Sequence, residues 1–141
     1  MTPPRRPLAV LVVDDHADTA RTTARLVELL GHRAECALSA AEAVAAAARL
    51  PPDVVLMDIR LADGTGWAAG RQIVDGAARR PVLVAVTGDH QAAGRYRQEG
   101  FDHALIKPAD PGVLGDLLDH YAGRLAEEPA AGERADRPPL P

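Results

Sequence analysis

Aromatic side chains are scarce in this sequence. Trp, Tyr and Phe together make up 3% of 141 residues, so any core must be aliphatic, built from Val, Leu, Ile and Ala. A single cysteine, Cys36, excludes an internal disulfide and a cysteine-built metal cluster, and a reducing cytoplasm is the compartment that suits such a chain. Positive charge is not in excess. Lys and Arg number 16 against 20 Asp and Glu, a net charge of -4. A basic footprint over the domain, and with it direct DNA binding, is therefore not expected. The apolar run at residues 8–13 is too short for a signal-peptide core with its cleavage site or for a membrane span. Membrane insertion is not expected.

What is present has a clear order. The length suits one domain, and 47% of the residues are hydrophobic. Three apolar runs, LAVLVV at 8–13, VVLM at 54–57 and VLVAV at 82–86, have the character of strands buried on both faces of a parallel sheet. A weaker run, ALI at 104–106, and a more polar one at 33–38, read as an edge strand, make five. Helix-like stretches alternate with them at 19–30, 39–50, 67–79, 91–99 and 113–126. Ser39 with Glu42 three residues on has the spacing of a capping box. Five strand-helix repeats predict a doubly wound α/β domain, a parallel five-stranded sheet with helices on both faces. Residues 1–7 read as an N-terminal extension, 8–126 as the domain, and 127–141 as a disordered tail of Pro, Ala, Gly and charge.

The polar residues fall at the strand ends. The three strong runs stop at Asp14-Asp15, Asp58 and Thr87, and the weaker one stops at Lys107. In a parallel α/β sheet these ends share one edge, where ligands bind. Carboxylates gathered there raise one another's pKa unless a cation offsets them. A hard divalent ion with oxygen ligands, Mg²⁺, is the economical answer, and Lys107 supplies a second positive charge. Carboxylate, metal, ammonium and hydroxyl together are what phosphoryl transfer to an oxygen nucleophile needs. Asp58, ending the central run, is the candidate nucleophile. Each residue alone has a plainer reading: Asp14-Asp15 as a helix cap, Asp58 as a loop residue, Thr87-Gly88 as a turn, Lys107-Pro108 as a surface break. Their joint occurrence favours the site.

The segments LAVLVVDD (8–15), VVLMDIRLADGTG (54–66), VLVAVTG (82–88) and GFDHALIKP (100–108) resemble the receiver domains of two-component response regulators, over about residues 8–126. The resemblance implies the flavodoxin-like strand order 2-1-3-4-5. It implies Asp58 as phosphoacceptor, Mg²⁺ held by Asp14, Asp15, Asp58 and the Arg60 backbone carbonyl, and Thr87 and Lys107 on the phosphoryl oxygens. Partners would be a sensor histidine kinase or a histidine phosphotransfer protein, and a downstream protein target bound through a switching face. Two positions depart from the family's pattern. Ala104 stands where an aromatic switch residue is usual; His103 beside it is expected either to replace that residue or, the favoured reading, to be an exposed edge residue. Ala62 stands where proline is usual, so a looser loop after Asp58 is expected. In the family it resembles, the second residues after the phosphoacceptor and after the threonine flank the acyl phosphate; here these are Arg60 and Asp89, whose opposite charges are expected to pair and slow hydrolysis.

Among the other residues, Trp67 is expected partly buried at a helix start, His16 is expected as a surface residue, and Cys36 as a small residue of the edge strand. No output module follows residue 126 in this sequence, so output is expected through protein binding or onward phosphotransfer. An aspartate-nucleophile phosphatase is a competing class. It generally needs an acid two residues after the nucleophile, where this chain has Arg60. A binding-only receiver fold is another, against which the intact set of Asp14, Asp15, Asp58, Thr87 and Lys107 argues.

Overall fold

The computed structural model describes residues 6–127. Most of the expected N-terminal extension and nearly all of the expected tail lie outside the described residues. Within them the chain alternates strand and helix: β1 (Ala9–Val13), α1 (Ala17–Leu29), β2 (Arg33–Ala37), α2 (Ala40–Arg49), β3 (Val54–Asp58), β4 (Arg60–Leu61), β5 (Gly64–Thr65), α3 (Gly66–Gly76), β6 (Val82–Thr87), α4 (His90–Ala93), β7 (His103–Ile106) and α5 (Pro111–Glu127). Five strands form a parallel sheet in the order β2-β1-β3-β6-β7. With the two-residue strands β4 and β5 set apart, this is the expected doubly wound order 2-1-3-4-5.

Period-two alternation splits the apolar runs between two cores. Leu11, Val13, Val55, Met57, Leu83 and Ala85 pack on one face with Ala43, Ala46, Trp67, Ile73 and Phe101. Val10, Val12, Val54, Leu56, Val82 and Val84 pack on the other with Val27, Leu114, Leu118 and Tyr121. The three central strands are buried on both faces, which is why they read as unbroken apolar runs. The outer strand β2 carries Cys36, half-buried, with its Sγ 3.5 Å from the Ala20 carbonyl. Trp67 is more buried than expected, 7% exposed, because its ring meets Phe101 edge-to-face at 4.9 Å between centroids.

Local signals set several helix ends. The Ser39 Oγ accepts from the Glu42 amide at 3.0 Å, while the Glu42 carboxylate reaches back to the Leu38 amide at 3.2 Å. The expected capping pair is thus present, displaced by one residue on the return bond. The helix expected over 91–99 is shorter: α4 closes after one turn, and residues 94–100 continue as turns. Gly94 at its C-cap and Gly100, with φ +85°, both favour turn over helix.

His103 is not an exposed edge residue. On β7, Ala104 points to the face that carries Trp67 and Phe101, whereas Leu105 points to the α5 face. His103, one residue earlier, shares the Leu105 side. There it is half-buried, its Nε2 2.7 Å from the Tyr121 hydroxyl. Burial and the neighbouring His120 hold its pKa below the ordinary histidine value. Because it faces the opposite side of the sheet, His103 does not replace a ring at position 104.

At the opposite edge from the strand C-termini, Asp102 closes the start of β7. Its carboxylate accepts the Leu83 amide at 2.8 Å and Arg80 Nη1 at 3.0 Å. Burial pushes its pKa up to about 6, against the opposing effects of the Leu83 amide and Arg80. A folded-state value above the unfolded one means stability that is full below about pH 4 and is lost as pH rises through about 6. The Asp102→Asn variant lacks this term. The stability gap between wild type and variant is therefore expected to be larger at pH 4.5 than at pH 7.5, by roughly 2 kcal/mol in urea unfolding. A gap independent of pH would show that Asp102 ionises as freely in the fold as in the unfolded chain.

Candidate functional site

The C-terminal ends of β1, β3, β6 and β7 bring four segments of chain to one edge. Asp14 follows β1 directly, its amide bonded to the Ala37 carbonyl of β2 at 3.1 Å. Asp58 and Thr87 are the last residues of β3 and β6, and Lys107 follows β7 with its amide on the Thr87 carbonyl at 2.9 Å. Asp14, Asp58 and Thr87 are buried, at 4%, 6% and 3% exposure, which is unusual for such residues without partners.

Lys107 is the partner that ties the acids together. Its Nζ lies 2.9 Å from Asp14 Oδ2 and 3.3 Å from Asp58 Oδ2. Asp58 Oδ1 accepts the Arg60 amide at 3.2 Å, and Asp14 Oδ1 accepts the His16 amide at 2.9 Å. Burial raises the Asp58 pKa and the Asp14 charge adds to the rise, with Lys107 and the Arg60 amide offsetting part of it. Burial acts the same way on Asp14, but there the Lys107 bond and the His16 amide win and the pKa falls below its ordinary value. Lys107 loses solvation too, yet its bonds and proximity to Asp14 and Asp58 raise its pKa. It is the one lysine in the sequence; the other basic side chains are arginines. That solitary lysine, at a strand end, is a signal legible in the sequence alone.

The Thr87 hydroxyl accepts the Asp89 amide at 3.2 Å. Arg60 and Asp89, two residues beyond Asp58 and Thr87, pair through Nη2 and Oδ2 at 2.8 Å, with Arg60 largely exposed. The loop after Asp58 is tied, contrary to the looser loop expected from Ala62. β4 and β5 pair as a small antiparallel hairpin, and the Gly66 amide bonds the Ile59 carbonyl at 2.7 Å. The short strands leave no periodic signature in the sequence, which is why the hairpin was not anticipated.

The donor set suits a hard cation. Asp15 Oδ1 is a buried oxygen that accepts no hydrogen bond, His16 Nδ1 approaching it without hydrogen-bond geometry, and is the kind of atom a metal ion satisfies. It groups with Asp14 and His16 as donors within 4.8 Å of one another. His16 itself is 78% exposed on its side chain, as expected of a surface residue, with Nδ1 3.2 Å from Asp15 Oδ1. Asp58 is joined to this group through Lys107.

The sequence profile of the response regulator receiver domain matches residues 10–119. The chain belongs to this family. The receiver is 31% identical over 132 residues to the acid tolerance regulatory protein ActR of Rhizobium meliloti, covering 92% of this chain and 67% of ActR. It is 32% identical over 108 residues to the protein PilH of Pseudomonas aeruginosa, covering 74% of this chain and 89% of PilH. A CheY-like receiver domain structure from Methylobacillus flagellatus superposes with a TM-score of 0.76 at 30% identity, over 82% of this chain and 99% of that one. The receiver domain of a sensor histidine kinase from Pseudomonas aeruginosa, described with a magnesium ion coordinated in its active-site cleft, superposes with a TM-score of 0.75 at 27% identity, over 84% and 99%. The receiver is thus a domain of two-component response regulators. Among the described residues no helix is long and apolar enough to cross a membrane.

Proposed function

We propose that this receiver accepts a phosphoryl group on Asp58 in a Mg²⁺-dependent reaction, taken from a sensor histidine kinase or a histidine phosphotransfer protein in the cytoplasm. The observation that carries the reading is Lys107, whose ammonium stands 3.3 Å from the Asp58 carboxylate while bonded to Asp14. Asp14, Asp15, Asp58 and the Arg60 carbonyl would hold the ion. A bound Mg²⁺ supplies charge neutralisation for the transferring phosphoryl oxygens.

The protein's own groups do the rest. An Asp58 oxygen attacks phosphorus, a new P–O bond forms, and the donor nitrogen departs with the electrons of the P–N bond. Lys107 is placed to exchange its contact with Asp58 for one with a phosphoryl oxygen, keeping its bond to Asp14. The Thr87 hydroxyl donates to a second phosphoryl oxygen, since its present bond uses only an acceptor lone pair. Drawing Thr87 toward that oxygen pulls on β6 and on the Lys107 amide bonded to it, a local charge event with a path to the surface that binds a downstream protein. With Ala104 at the usual ring position, that path does not use a ring at 104. The Arg60–Asp89 pair lies over the approach of water and prolongs the phosphoryl state.

The test is intact mass after incubation with Mg²⁺ and a small phosphodonor such as acetyl phosphate. One phosphate adduct is expected, absent in Asp58→Ala and absent with chelator. No adduct on the wild type would leave a receiver fold that only binds partners. In the same assay, Arg60→Ala and Asp89→Ala are expected to shorten the adduct's half-life several-fold. An exposed pair contributes little stability, so the melting temperature of Arg60→Ala should stay close to wild type, while Asp89→Ala also removes the cap that accepts the Gln91 and Ala92 amides and should lose about 1 kcal/mol. Unchanged lifetimes in both variants would remove the pair's role.

A further inference from the structure

Asp63 sits at the tip of the β4–β5 hairpin, in the two-residue turn between Leu61 and Gly64. It is exposed, and nothing in the phosphoryl chemistry needs it. Yet its carboxylate is fully engaged: Oδ1 accepts the Ala40 amide at 2.9 Å and Oδ2 accepts the Ala41 amide at 3.1 Å. These are the first two amides of α2, which no residue within the helix can satisfy. Ser39 serves the next two, its hydroxyl taking the Glu42 amide and its carbonyl the Ala43 amide. Asp63 therefore completes the cap of a helix more than twenty positions earlier in the chain, and in return its own turn is fastened to that helix. On the other side the hairpin is fastened by Arg60 to Asp89, the N-cap residue of α4.

We infer that Asp63 is a positioning residue for the divalent cation: its clamp on the first turn of α2 holds the hairpin, and with it the Arg60 carbonyl, at the acidic pocket. Arg60 opens β4 and pairs with Thr65 across the hairpin, three residues from Asp63. The hairpin has only two residues on each strand, too few to keep its own geometry without external anchors. This rests on the reading of the Arg60 carbonyl as a ligand. Groups that orient a metal ligand without touching the metal commonly matter for affinity about as much as tenfold or more when removed.

The experiment is a Mg²⁺ titration of the whole chain followed by the backbone amide NMR shifts of Asp15 and Arg60, for wild type, Asp63→Ala, Asp63→Asn and Ser39→Ala. Asp63→Ala is expected to weaken Mg²⁺ binding by about tenfold. Asp63→Asn, with one acceptor oxygen in place of two, is expected between alanine and wild type. Ser39→Ala removes a cap from the same helix end but leaves the hairpin clamped, and its Mg²⁺ affinity is expected to equal wild type. Wild-type affinity in Asp63→Ala would overturn the inference. Equal weakening in Asp63→Ala and Ser39→Ala would overturn it too, because the loss would then run through helix stability. If wild type bound Mg²⁺ without moving the Arg60 amide, the ligand reading itself would fail; if it bound none, the metal site would.

Discussion

Replacing Lys107 with alanine is expected to slow phosphorylation of Asp58 by about 100-fold or more, the usual loss when one fixed charge-stabilising donor is removed from a transfer site. Two separate effects add. The transferring phosphoryl group loses the ammonium that neutralises its oxygens. The Asp58 carboxylate, already raised in pKa by burial and by Asp14, loses its principal counter-charge and becomes harder to ionise. The second effect has a sign that can be read. A nucleophile with a further raised pKa ionises at higher pH, so the variant's residual rate should reach its plateau at a higher pH than the wild-type rate does. The rate of adduct formation by intact mass, measured as a function of pH for both proteins, checks this.

The same variant should show an altered response to Mg²⁺. With Lys107 gone, Asp14 and Asp58 face each other as buried acids without a cation, an arrangement that typically costs about 3–5 kcal/mol. A divalent ion binding the folded state offsets that cost through linkage. The rise in melting temperature on adding MgCl₂ is therefore expected to be greater in Lys107→Ala than in wild type. Equal rises, together with an unaltered phosphorylation rate, would mean that Lys107 is a surface residue that happens to lie near the acids.

Gly66→Ala is expected to be the most disruptive single methyl group in the domain. A Cβ at Gly66 would lie 2.3 Å from the Asp58 carbonyl oxygen, 2.8 Å from Ile59 Cα and 2.8 Å from Met57 Cγ. Two of these are backbone atoms of the segment that carries the phosphoacceptor, so no rotamer change relieves the clash. Relief requires moving α3 away from β3 or moving Asp58 itself, and Gly66 is also the donor of the 2.7 Å bond that closes the loop. A loss of about 3 kcal/mol or more is expected, a fall in melting temperature of roughly 10–15 °C for a domain of this size. Gly70→Ala is the useful comparison. There the nearest atoms belong to the Phe101 ring, at 2.5 Å and 2.6 Å. A side chain can give way where backbone cannot, so a smaller loss is expected, with phosphorylation kept in whatever fraction remains folded. Thermal melting of both variants decides it. A wild-type melting temperature for Gly66→Ala would show that the close approach of α3 to Asp58 is not required.

The chain carried its secondary-structure order in plain form. Central strands buried on both faces need apolar side chains at every position, so LAVLVV, VVLM and VLVAV announce themselves without any knowledge of partners. The residues that end these runs, Asp14, Asp58 and Thr87, are legible for the same reason: a polar group stands where an apolar run stops. Ser39 with Glu42 is a signal within four residues, and the structure uses it. The strand order followed from the resemblance to receiver domains and is the one observed.

The features missed in the sequence depend on residues far apart along the chain. The side of the sheet on which His103 lies follows from the register of β7 against β6, and its burial follows from Tyr121 on α5. The hairpin after Asp58 is too short to have a period, and its anchor, Asp63, caps a helix that precedes it by more than twenty residues. The early end of α4 reflects glycine and turn hydrogen bonds that a helical spacing of apolar residues does not reveal. Sequence pattern thus determined the five strands of the main sheet and which side chains stand at their ends, because periodicity and run length are local consequences of burial. The expected meeting of Arg60 with Asp89 is present, but tertiary structure alone decided that Lys107 bridges Asp14 and Asp58 and that Asp63 clamps α2. Each of these is a contact between charges or donors whose meeting requires the sheet to be assembled first.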